Sequence, residues 1–226
     1  MSSRSVRTTA EGMAATAIDA PVRLRVRVLA VSAVVVFNTA LYLWVNAHPL
    51  RTPTMLPVTA LDSWFGWHAW TIWPYWLLLL INPFLAVCIR ERRLLLATFR
   101  AYVVAMAINL LVWLAWPTQL PRHPLPDTLD PLTTSAWQLL LALDEPDTCF
   151  PSGHITIPTV VMFAFAAQYP AARRWIWLVL LLFPSIITTG QHYAVDLLGG
   201  MLTAIAGIAL AGHPLWRAWR RPSFAG

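Results

Sequence analysis

The sequence predicts an all-α polytopic membrane protein with six transmembrane helices, and three observations carry that prediction. Hydrophobic residues make up 58% of the 226-residue chain, charged residues only 12%, and the mean hydropathy is +0.60. Soluble domains average about 25% charged residues. The apolar residues form blocks near the length of a membrane span, and the positive charge lies between those blocks. This combination excludes a disordered chain, a disulfide scaffold and an ordinary soluble enzyme.

Six apolar blocks qualify or come close as spans, because crossing a hydrocarbon core of about 30 Å takes about 20 mostly apolar residues. In chain order they are residues 28–45, 72–89, 94–116, 155–169, 175–189 and 195–211. The fourth and fifth blocks are short, and they need flanking residues or local thinning of the bilayer to span it. Asn38, Asn82 and Asn109 interrupt the first three blocks. Since an amide that faces lipid is costly, we expect these side chains to form hydrogen bonds between helices.

A seventh apolar stretch, residues 132–143, is only twelve residues long, which suits an interfacial or re-entrant helix better than a span. The chain is otherwise predicted to have one membrane domain, residues 25–216, between two tails. Residues 1–24 are expected to be a disordered cytoplasmic tail, and residues 217–226 a basic cytoplasmic tail. The first span is longer than the apolar core of a cleaved signal peptide, so we interpret it as an uncleaved signal anchor.

The arginines predict the orientation of the spans. All sixteen basic residues are arginines, and six spans place thirteen of them on one side, in both termini and in the second and fourth loops. Only Arg51 and Arg122 fall on the other side, and Arg100 lies near the inner end of the third block. The positive-inside rule therefore predicts that both termini are cytoplasmic. We expect the protein in the plasma or inner membrane. Because the arginines lie between apolar blocks, we do not expect nucleic-acid binding.

The predicted topology brings two polar segments to the same extracytoplasmic surface. His154 lies at the start of the fourth span, and His192 and Asp196 lie at the start of the sixth. Residues four apart share a helix face, so we expect the Asp196 carboxylate to reach the His192 imidazole. A carboxylate on one ring nitrogen fixes the tautomer and leaves the other nitrogen as a base or nucleophile. Asp196 is also a functional candidate because an ionisable residue that enters a span is costly.

The segment Pro-Ser-Gly-His at residues 151–154 predicts an anion site. It is expected to open a helix, whose first N–H groups lack partners within the helix and attract anions. Ser152 adds a hydroxyl, and Gly153 permits close approach. A phosphate would fit there without any metal, and no cofactor is expected. Two histidines beside such a site, one of them held by an aspartate, indicate phosphoryl transfer through a phosphohistidine.

These residues resemble the motifs of the type 2 phosphatidic acid phosphatase (PAP2) superfamily, whose members share a six-helix core. The second family motif, Pro-Ser-Gly-His, is intact at residues 151–154. The third motif usually reads Ser-Arg-x5-His-x3-Asp. Ser185 and the pair of His192 and Asp196 match it, whereas Ile186 stands at the arginine position. The resemblance covers the second to the sixth span.

The rest of the motif pattern is similar to one branch of that superfamily. The form Gln-His-Tyr-x-x-Asp at residues 191–196 resembles the branch that contains sphingomyelin synthases and inositol phosphorylceramide synthases, in which the third-motif arginine is also missing. The first family motif, Lys-x6-Arg-Pro, is absent as written, and Arg122 is its only candidate remnant. Without that lysine and the third-motif arginine, two expected phosphate clamps are missing. Their absence fits a phosphodiester headgroup, which has less charge to neutralise than a monoester.

The resemblance also implies a role for each site residue. His192 would attack the substrate phosphorus, and Asp196 would orient the His192 ring. His154 would protonate the leaving alcohol and then activate the incoming one. The residues implied to hold phosphate oxygens are Ser152, Gly153 and Arg122.

The expected function is hydrolysis of a lipid phosphate at the extracytoplasmic face, with a lipid phosphate or phospholipid as the partner. The first alternative is a phosphotransferase that moves a phospho-headgroup between lipids. A non-catalytic transporter is a more distant alternative, since transporters place polar groups near the bilayer midplane, whereas these groups lie at the outer rim. A bis-histidine haem protein is another, and a Soret band of the purified protein would reveal it.

Overall fold

The computed structural model describes residues 21–144 and 147–220, and most of these residues are helical. The predicted N-terminal tail lies mainly outside the described residues, which begin at Pro21. Six of the ten residues of the predicted C-terminal tail, 221–226, lie outside them as well.

Five helical segments of the described chain are long and apolar enough to cross a membrane. Four of them contain one long helix each. These helices are α1 (Leu24–Ala47), α3 (Ile72–Cys88, after a 3-10 turn Ala69–Thr71), α4 (Arg92–Ala115) and α9 (Ala194–Ala211). The other segment, Pro170–Thr188, consists of a 3-10 helix (Pro170–Arg174), α7 (Ile176–Leu180) and α8 (Pro184–Thr188). The shorter helices are α2 (Ala60–Phe65), α5 (Pro131–Leu143), α6 (Gly153–Gln168) and α10 (His213–Trp219).

The prediction of six spans is therefore met in part, because the fourth predicted span forms a shorter helix. α6 has 16 residues, which gives it a length of about 24 Å against a hydrocarbon core of about 30 Å. It begins only after Pro151 and Ser152, and it ends at Gln168, two residues before Pro170. The fifth predicted span is present but is interrupted between Leu180 and Pro184.

The short apolar stretch at residues 132–143 forms a helix, as expected. α5 has 13 residues, and Asp130 caps its N-terminus by accepting the N–H groups of Leu132 and Thr133, each at 3.0 Å. Trp137 on this helix donates its indole N–H to the Ala69 carbonyl at 2.9 Å. The Trp137 bond attaches α5 to the 3-10 turn before α3.

A small parallel sheet connects the loops at one end of the bundle. Thr54–Met55 (β1) pairs with Thr118–Gln119 (β2). The fully buried Thr118 also accepts the Phe150 N–H on its hydroxyl at 2.7 Å and the Cys149 N–H on its carbonyl at 3.0 Å. The sheet therefore fixes the chain that leads into α6.

Glycines let the helices approach closely where the two polar segments meet. A Cβ atom on Gly200 would lie 2.4 Å from the Ser152 carbonyl oxygen, and one on Gly199 would lie 2.5 Å from the Phe150 ring. Further along α9, a Cβ on Gly207 would lie 2.4 Å from the Ala101 carbonyl oxygen of α4. Small residues at such contacts are typical of helix packing in membranes. At Gly199 and Gly200 they bring the start of α9 against the start of α6.

The three asparagines of the apolar blocks have different environments. Asn109 donates to the Thr156 hydroxyl at 2.9 Å and thereby joins α4 to α6, which confirms the predicted hydrogen bond between helices. Asn82 instead donates to the Leu78 carbonyl of its own helix at 2.5 Å, so the prediction is wrong for this residue. Asn38 lines a cavity between the helices.

The outward faces of the long helices are apolar. Large side chains on α1, α3, α4 and α9 are about two-thirds exposed, among them Phe37 (70%), Leu80 (67%), Leu111 (67%) and Leu202 (67%). Apolar surface of this extent on helices of this length is what a bilayer solvates. The five segments are consistent with an integral membrane protein.

Arginine-bearing segments gather at the end of the bundle opposite the start of α6. The Arg90 carbonyl accepts the Val22 N–H at 2.8 Å, and Arg27 donates to the Val87 carbonyl. Arg173 donates to the Trp219 carbonyl at 2.7 Å. The arginine-bearing segments and the two histidines therefore lie at opposite ends of the bundle.

Candidate active site

The structure brings together the two histidines that the sequence placed on separate segments. His154 lies in the first turn of α6, and His192 lies two residues before α9. The Nδ1 atom of His154 is 3.1 Å from the Nε2 atom of His192, and the ring planes meet at 68°. We call these two residues the histidine pair.

Asp196 contacts His192 as expected, but the local geometry differs from a shared helix face. Its Oδ2 atom is 3.3 Å from His192 Nδ1 and also accepts the Tyr193 N–H at 2.8 Å. α9 begins only at Ala194, so His192 is outside the helix. The contact arises because Asp196, in the first turn, folds back as an N-terminal cap. Asp62 on α2 strengthens this helix start by accepting the Ala194 N–H at 2.6 Å.

The hydrogen bonds determine which ring nitrogens carry protons when both histidines are neutral. A carboxylate only accepts, so His192 donates from Nδ1 to Asp196 and its Nε2 atom is an acceptor. His154 then donates from Nδ1 to that acceptor, and its own Nε2 atom accepts the Tyr75 hydroxyl at 3.2 Å. The result is a directed chain from Tyr75 through both histidines to Asp196. The lone pair of His192 Nε2 points at the neighbouring ring.

Tyr75 is a site residue that the sequence analysis missed. It is fully buried in the first turn of α3, and its ring centroid lies 5.4 Å from that of His154. Its only signal in the sequence was a hydroxyl-bearing side chain near the outer end of an apolar span.

The start of α6 has the features expected of an anion site. Ser152 is the residue before the helix, is fully buried, and its hydroxyl has no hydrogen-bond partner among the described residues. The first helical bonds run from Ile155 and Thr156 to the Ser152 carbonyl, so the N–H groups of Gly153 and His154 have no partner within the helix. The Ser152 N–H donates to the Asp196 carbonyl at 3.0 Å, which ties this helix start to α9.

Arg122 lies beside the histidine pair but is bound to other groups. One guanidinium nitrogen donates to the side-chain oxygen of Gln191, the residue before His192. Another donates to the Asp144 carbonyl at 2.7 Å and lies 3.5 Å from its carboxylate. The charge of Arg122 is therefore paired with that of Asp144.

Asp144 is a second residue that the sequence analysis missed. Its Oδ1 atom accepts the Tyr42 hydroxyl at 2.5 Å and the Asn46 amide at 3.3 Å. Asp144 and Tyr42 line the same cavity as the histidine pair, and the ring centroids of Tyr42 and His154 lie 6.5 Å apart. Asp144 follows directly after the end of α5.

That cavity has a volume of about 350 Å³ and extends from the histidine pair between α1, α3, α4 and α6. Both histidines and Gly153 lie at one end. Most of the other lining residues are apolar, and those along its length include Val31, Val35, Leu79, Pro83, Met106 and Val161. A chain-like apolar ligand fits such a space better than a sugar or a nucleotide.

The position of the missing third-motif arginine belongs to the protein interior. Ile186 is fully buried in α8, and its carbonyl accepts the His192 N–H at 3.3 Å. The turn from Ile186 to His192 needs Gly190, whose φ of +64° is unfavourable for other residues. A Cβ atom there would also lie 2.8 Å from the His123 ring. Ile186 thus supports the His192 backbone and supplies no charge for a phosphate.

Cys149, His192 and Asp196 are the described residues that come nearest to a metal-ligand set, with one donor atom of each within 4.8 Å of the others. Burial raises the pKa of the Cys149 thiol, which disfavours the thiolate. Metal binding requires the thiolate, and His192 Nδ1 and Asp196 already bond to each other. The donor set therefore fits a hydrogen-bonded site better than a metal centre.

Comparison with known proteins gives one match. The family model described as PAP2 superfamily matches residues 32–210, a range that contains every site residue named above. Comparisons with curated proteins and with solved structures gave no significant match.

Proposed function

Because the chain belongs to the PAP2 superfamily, we propose that it is a membrane lipid phosphatase that acts through a phosphohistidine. The observation that carries this proposal is a row of three hydrogen-bonded side chains. Asp196 contacts His192 at 3.3 Å, and His192 contacts His154 at 3.1 Å. It provides a nucleophile, a group that orients the nucleophile, and a proton donor. These are the three parts that such a reaction needs.

The first step forms the covalent intermediate. The substrate, bound as its monoanion, would pass its proton to His154 and take the place of the hydrogen bond between the two rings, which frees the Nε2 lone pair of His192. That lone pair attacks phosphorus, the bond from phosphorus to the lipid oxygen breaks, and its electron pair stays on that oxygen. His154, which then carries protons on both ring nitrogens, donates the Nδ1 proton to the leaving oxygen and becomes neutral, so the lipid departs as an alcohol. Asp196 stabilises the positive charge that the His192 ring acquires.

The second step releases the phosphate. His154 now has a free Nδ1 lone pair and removes a proton from water as the water oxygen attacks the phosphorus. The bond between phosphorus and Nε2 breaks, and its electrons return to His192. Inorganic phosphate takes one proton from His154 as it leaves, and both histidines regain their starting protonation.

The start of α6 is proposed to hold the phosphate oxygens. The unpartnered Ser152 hydroxyl and the N–H groups of Gly153 and His154 supply donors without a metal. Arg122 would add a fourth contact only if its guanidinium exchanges part of its bonding with Asp144 and Gln191. We therefore assign Ser152 and Gly153 the main role and Arg122 a lesser one.

The apolar cavity supports a lipid as the substrate. It begins at the histidine pair and continues between the membrane-spanning helices, so a phosphate at the pair would leave its chain among apolar side chains. Burial of an alkyl chain contributes about 0.8 kcal/mol per methylene group. A soluble phosphate ester would gain nothing from this space.

Transfer of a headgroup is the second candidate, and the pairing of Arg122 with Asp144 favours it. The described site holds this one arginine, its charge is offset by a carboxylate 3.5 Å away, and Ile186 adds none. A dianionic monoester needs more neutralisation than a phosphodiester. The same chemistry would then pass a phospho-headgroup to a lipid alcohol, as in the synthase branch that the sequence resembles.

We propose that the site faces the extracytoplasmic side, with both termini in the cytoplasm. The arginine-bearing segments lie at the opposite end of the bundle from the histidine pair. Six spans, with α6 completed by flanking residues, would put the thirteen arginines on the cytoplasmic side.

Product analysis on the purified protein tests the proposed function. Labelled alkyl phosphates and labelled phospholipids would be supplied with and without a lipid alcohol, and His192→Ala would serve as the inactive control. Release of free phosphate from the monoesters supports the phosphatase. Movement of the label onto the added alcohol supports the transferase, and no product from either class contradicts both.

A further inference from the structure

Two asparagines in the cavity have no evident structural purpose. Asn82 is 4% exposed, and its Oδ1 atom is buried without a hydrogen-bond partner among the described residues. Its amide N–H group bonds only to the Leu78 carbonyl one turn earlier in α3. Asn38 lines the same cavity from α1. We call Asn38 and Asn82 the asparagine pair.

Comparison with Asn109 shows what a structural asparagine looks like in this bundle. Asn109 also has a buried Oδ1 atom without a partner among the described residues, but its amide donates to Thr156 on another helix and so holds two helices together. Asn82 makes no such bond, although an amide oxygen buried without a partner costs free energy. Asn82 lines a cavity. A ligand in that cavity that donates a hydrogen bond to the Asn82 side-chain oxygen would explain why the asparagine is retained.

The backbone of α3 adds a second acceptor at the same level. Pro83 lies within this helix and has no N–H group. The Leu79 carbonyl, four residues earlier, therefore lacks the helical hydrogen bond that the N–H group of residue 83 would normally donate. Leu79, Asn82 and Pro83 all line the cavity, so two acceptors without their usual donors lie in one turn of its wall.

The depth of this turn follows from helix geometry. Tyr75 contacts His154, and Asn82 lies seven residues further along α3, which is about 10 Å deeper at 1.5 Å per residue. Asn38 lies four residues from Tyr42 towards the interior, about 6 Å along α1. The polar groups are thus well below the reacting phosphorus and beside the middle of a lipid chain.

We infer that the cavity selects a lipid phosphate with a hydrogen-bond donor, a hydroxyl or an amide N–H, about 10 Å along its chain from the phosphorus. The donor would bond to Asn82 Oδ1, and the Asn38 amide would take up the remaining lone pair or proton of the same group. This inference rests on the proposed function for the position of the phosphorus. It assigns the asparagine pair as specificity-determining residues for the lipid.

A binding and turnover experiment with defined lipids tests the inference. The probes are hexadecyl phosphate, the same lipid with one hydroxyl or one amide near the middle of the chain, and the same lipid with the hydroxyl beside the phosphate. Binding is measured on His192→Ala, which cannot consume them, and turnover on the unaltered protein. We expect the mid-chain donors to improve binding and kcat/KM about tenfold over the other two probes.

Variants identify the residues responsible. Asn82→Leu should abolish the preference for the mid-chain donor, and Asn38→Leu should weaken it. Leu79→Met is the matched control, because it changes an apolar side chain in the same turn, and it should keep the preference. Asn82→Leu should also unfold at the same or a higher temperature, since it removes an unpartnered buried oxygen, whereas loss of a structural hydrogen bond would lower that temperature.

The outcomes separate this inference from the proposed function. Equal binding of all four probes, or a preference that survives Asn82→Leu, overturns the inference even if phosphate is released. Preferential binding of the mid-chain donors without turnover supports the inference and contradicts the phosphatase. Tighter binding of the hydroxyl probe than of the amide probe, or the reverse, shows which of the two donors the cavity prefers.

Discussion

His154 and His192 face each other through Nδ1 and Nε2 at 3.1 Å, and the outer nitrogen of each ring is held by a different partner. Asp196 holds Nδ1 of His192, and Tyr75 holds Nε2 of His154. A strong acceptor behind one ring makes that ring the better nucleophile. The neutral hydroxyl behind the other ring can accept a hydrogen bond as well as donate one, so it also suits a His154 ring that carries both protons and acts as the acid. In the proposed mechanism, these partners would give two chemically alike histidines different roles.

Asp196→Asn should lower kcat by about 10³- to 10⁴-fold while the protein stays folded. An amide oxygen in place of Oδ2 can still accept the Tyr193 N–H and so keep the helix cap, but it lacks the negative charge that stabilises the imidazolium formed on His192 during the reaction. The rate of phosphate release and the unfolding temperature would be measured together. Asp62→Asn is the matched control, because it changes another carboxylate at the start of α9 that touches neither histidine. Equal losses in the two variants would contradict a special role for Asp196.

His154→Ala should lower turnover of a lipid phosphate by about 10²- to 10⁴-fold, the usual contribution of a positioned proton donor. The first step with nitrophenyl phosphate should be much less affected, since nitrophenolate leaves without a proton. The burst of nitrophenol in a rapid-mixing experiment measures that step. His48→Ala, which alters an exposed histidine outside the site, should change neither rate. An equal loss with both substrates would show that His154 does not act as the acid.

Tyr75→Phe should lower turnover of the lipid phosphate about tenfold, the effect of one lost hydrogen bond. The ring and its packing remain, but the His154 ring loses the bond that holds its Nδ1 proton towards the substrate. The loss should be smaller with nitrophenyl phosphate, since that substrate does not need the proton. Tyr102→Phe, which removes another hydroxyl from the same cavity, is the control. Full activity of Tyr75→Phe would remove Tyr75 from the mechanism.

Reporter fusions test the orientation. A cytoplasmic reporter joined after Gly226 should be active, and a reporter inserted within residues 124–130 should respond as extracytoplasmic, because of the distribution of the arginines. The opposite pattern would place the histidine pair on the cytoplasmic side.

Much of the fold could be predicted from the sequence, because long apolar blocks indicate membrane helices directly. Block boundaries agree with α1, α3, α4 and α9 within a few residues. The shortness of the fourth block was predicted and is seen in α6, whereas the break before Pro184 was not predicted, since hydropathy does not report where a helix is interrupted.

Site residues that belong to a sequence motif were predicted, whereas those that only helix packing brings into the site were missed. His154, His192 and Asp196 stand at spacings that topology brings together. Tyr75 and Asp144 come from α3 and from the end of α5, and only the packing of those helices places them in the cavity. Arg122 was expected to bind phosphate, and its pairing with Asp144 depends on a contact across 22 residues of chain that no local pattern reveals.

Trapping the covalent intermediate is the most direct test of the phosphohistidine mechanism. Protein mixed with a lipid phosphate labelled at phosphorus would be quenched in alkali, where a phosphohistidine survives, and the label on the protein counted. We expect an acid-labile label on the unaltered protein, more of it on His154→Ala with labelled nitrophenyl phosphate, and none on His192→Ala. Label that persists on His192→Ala would show that another residue is the nucleophile and would contradict the mechanism.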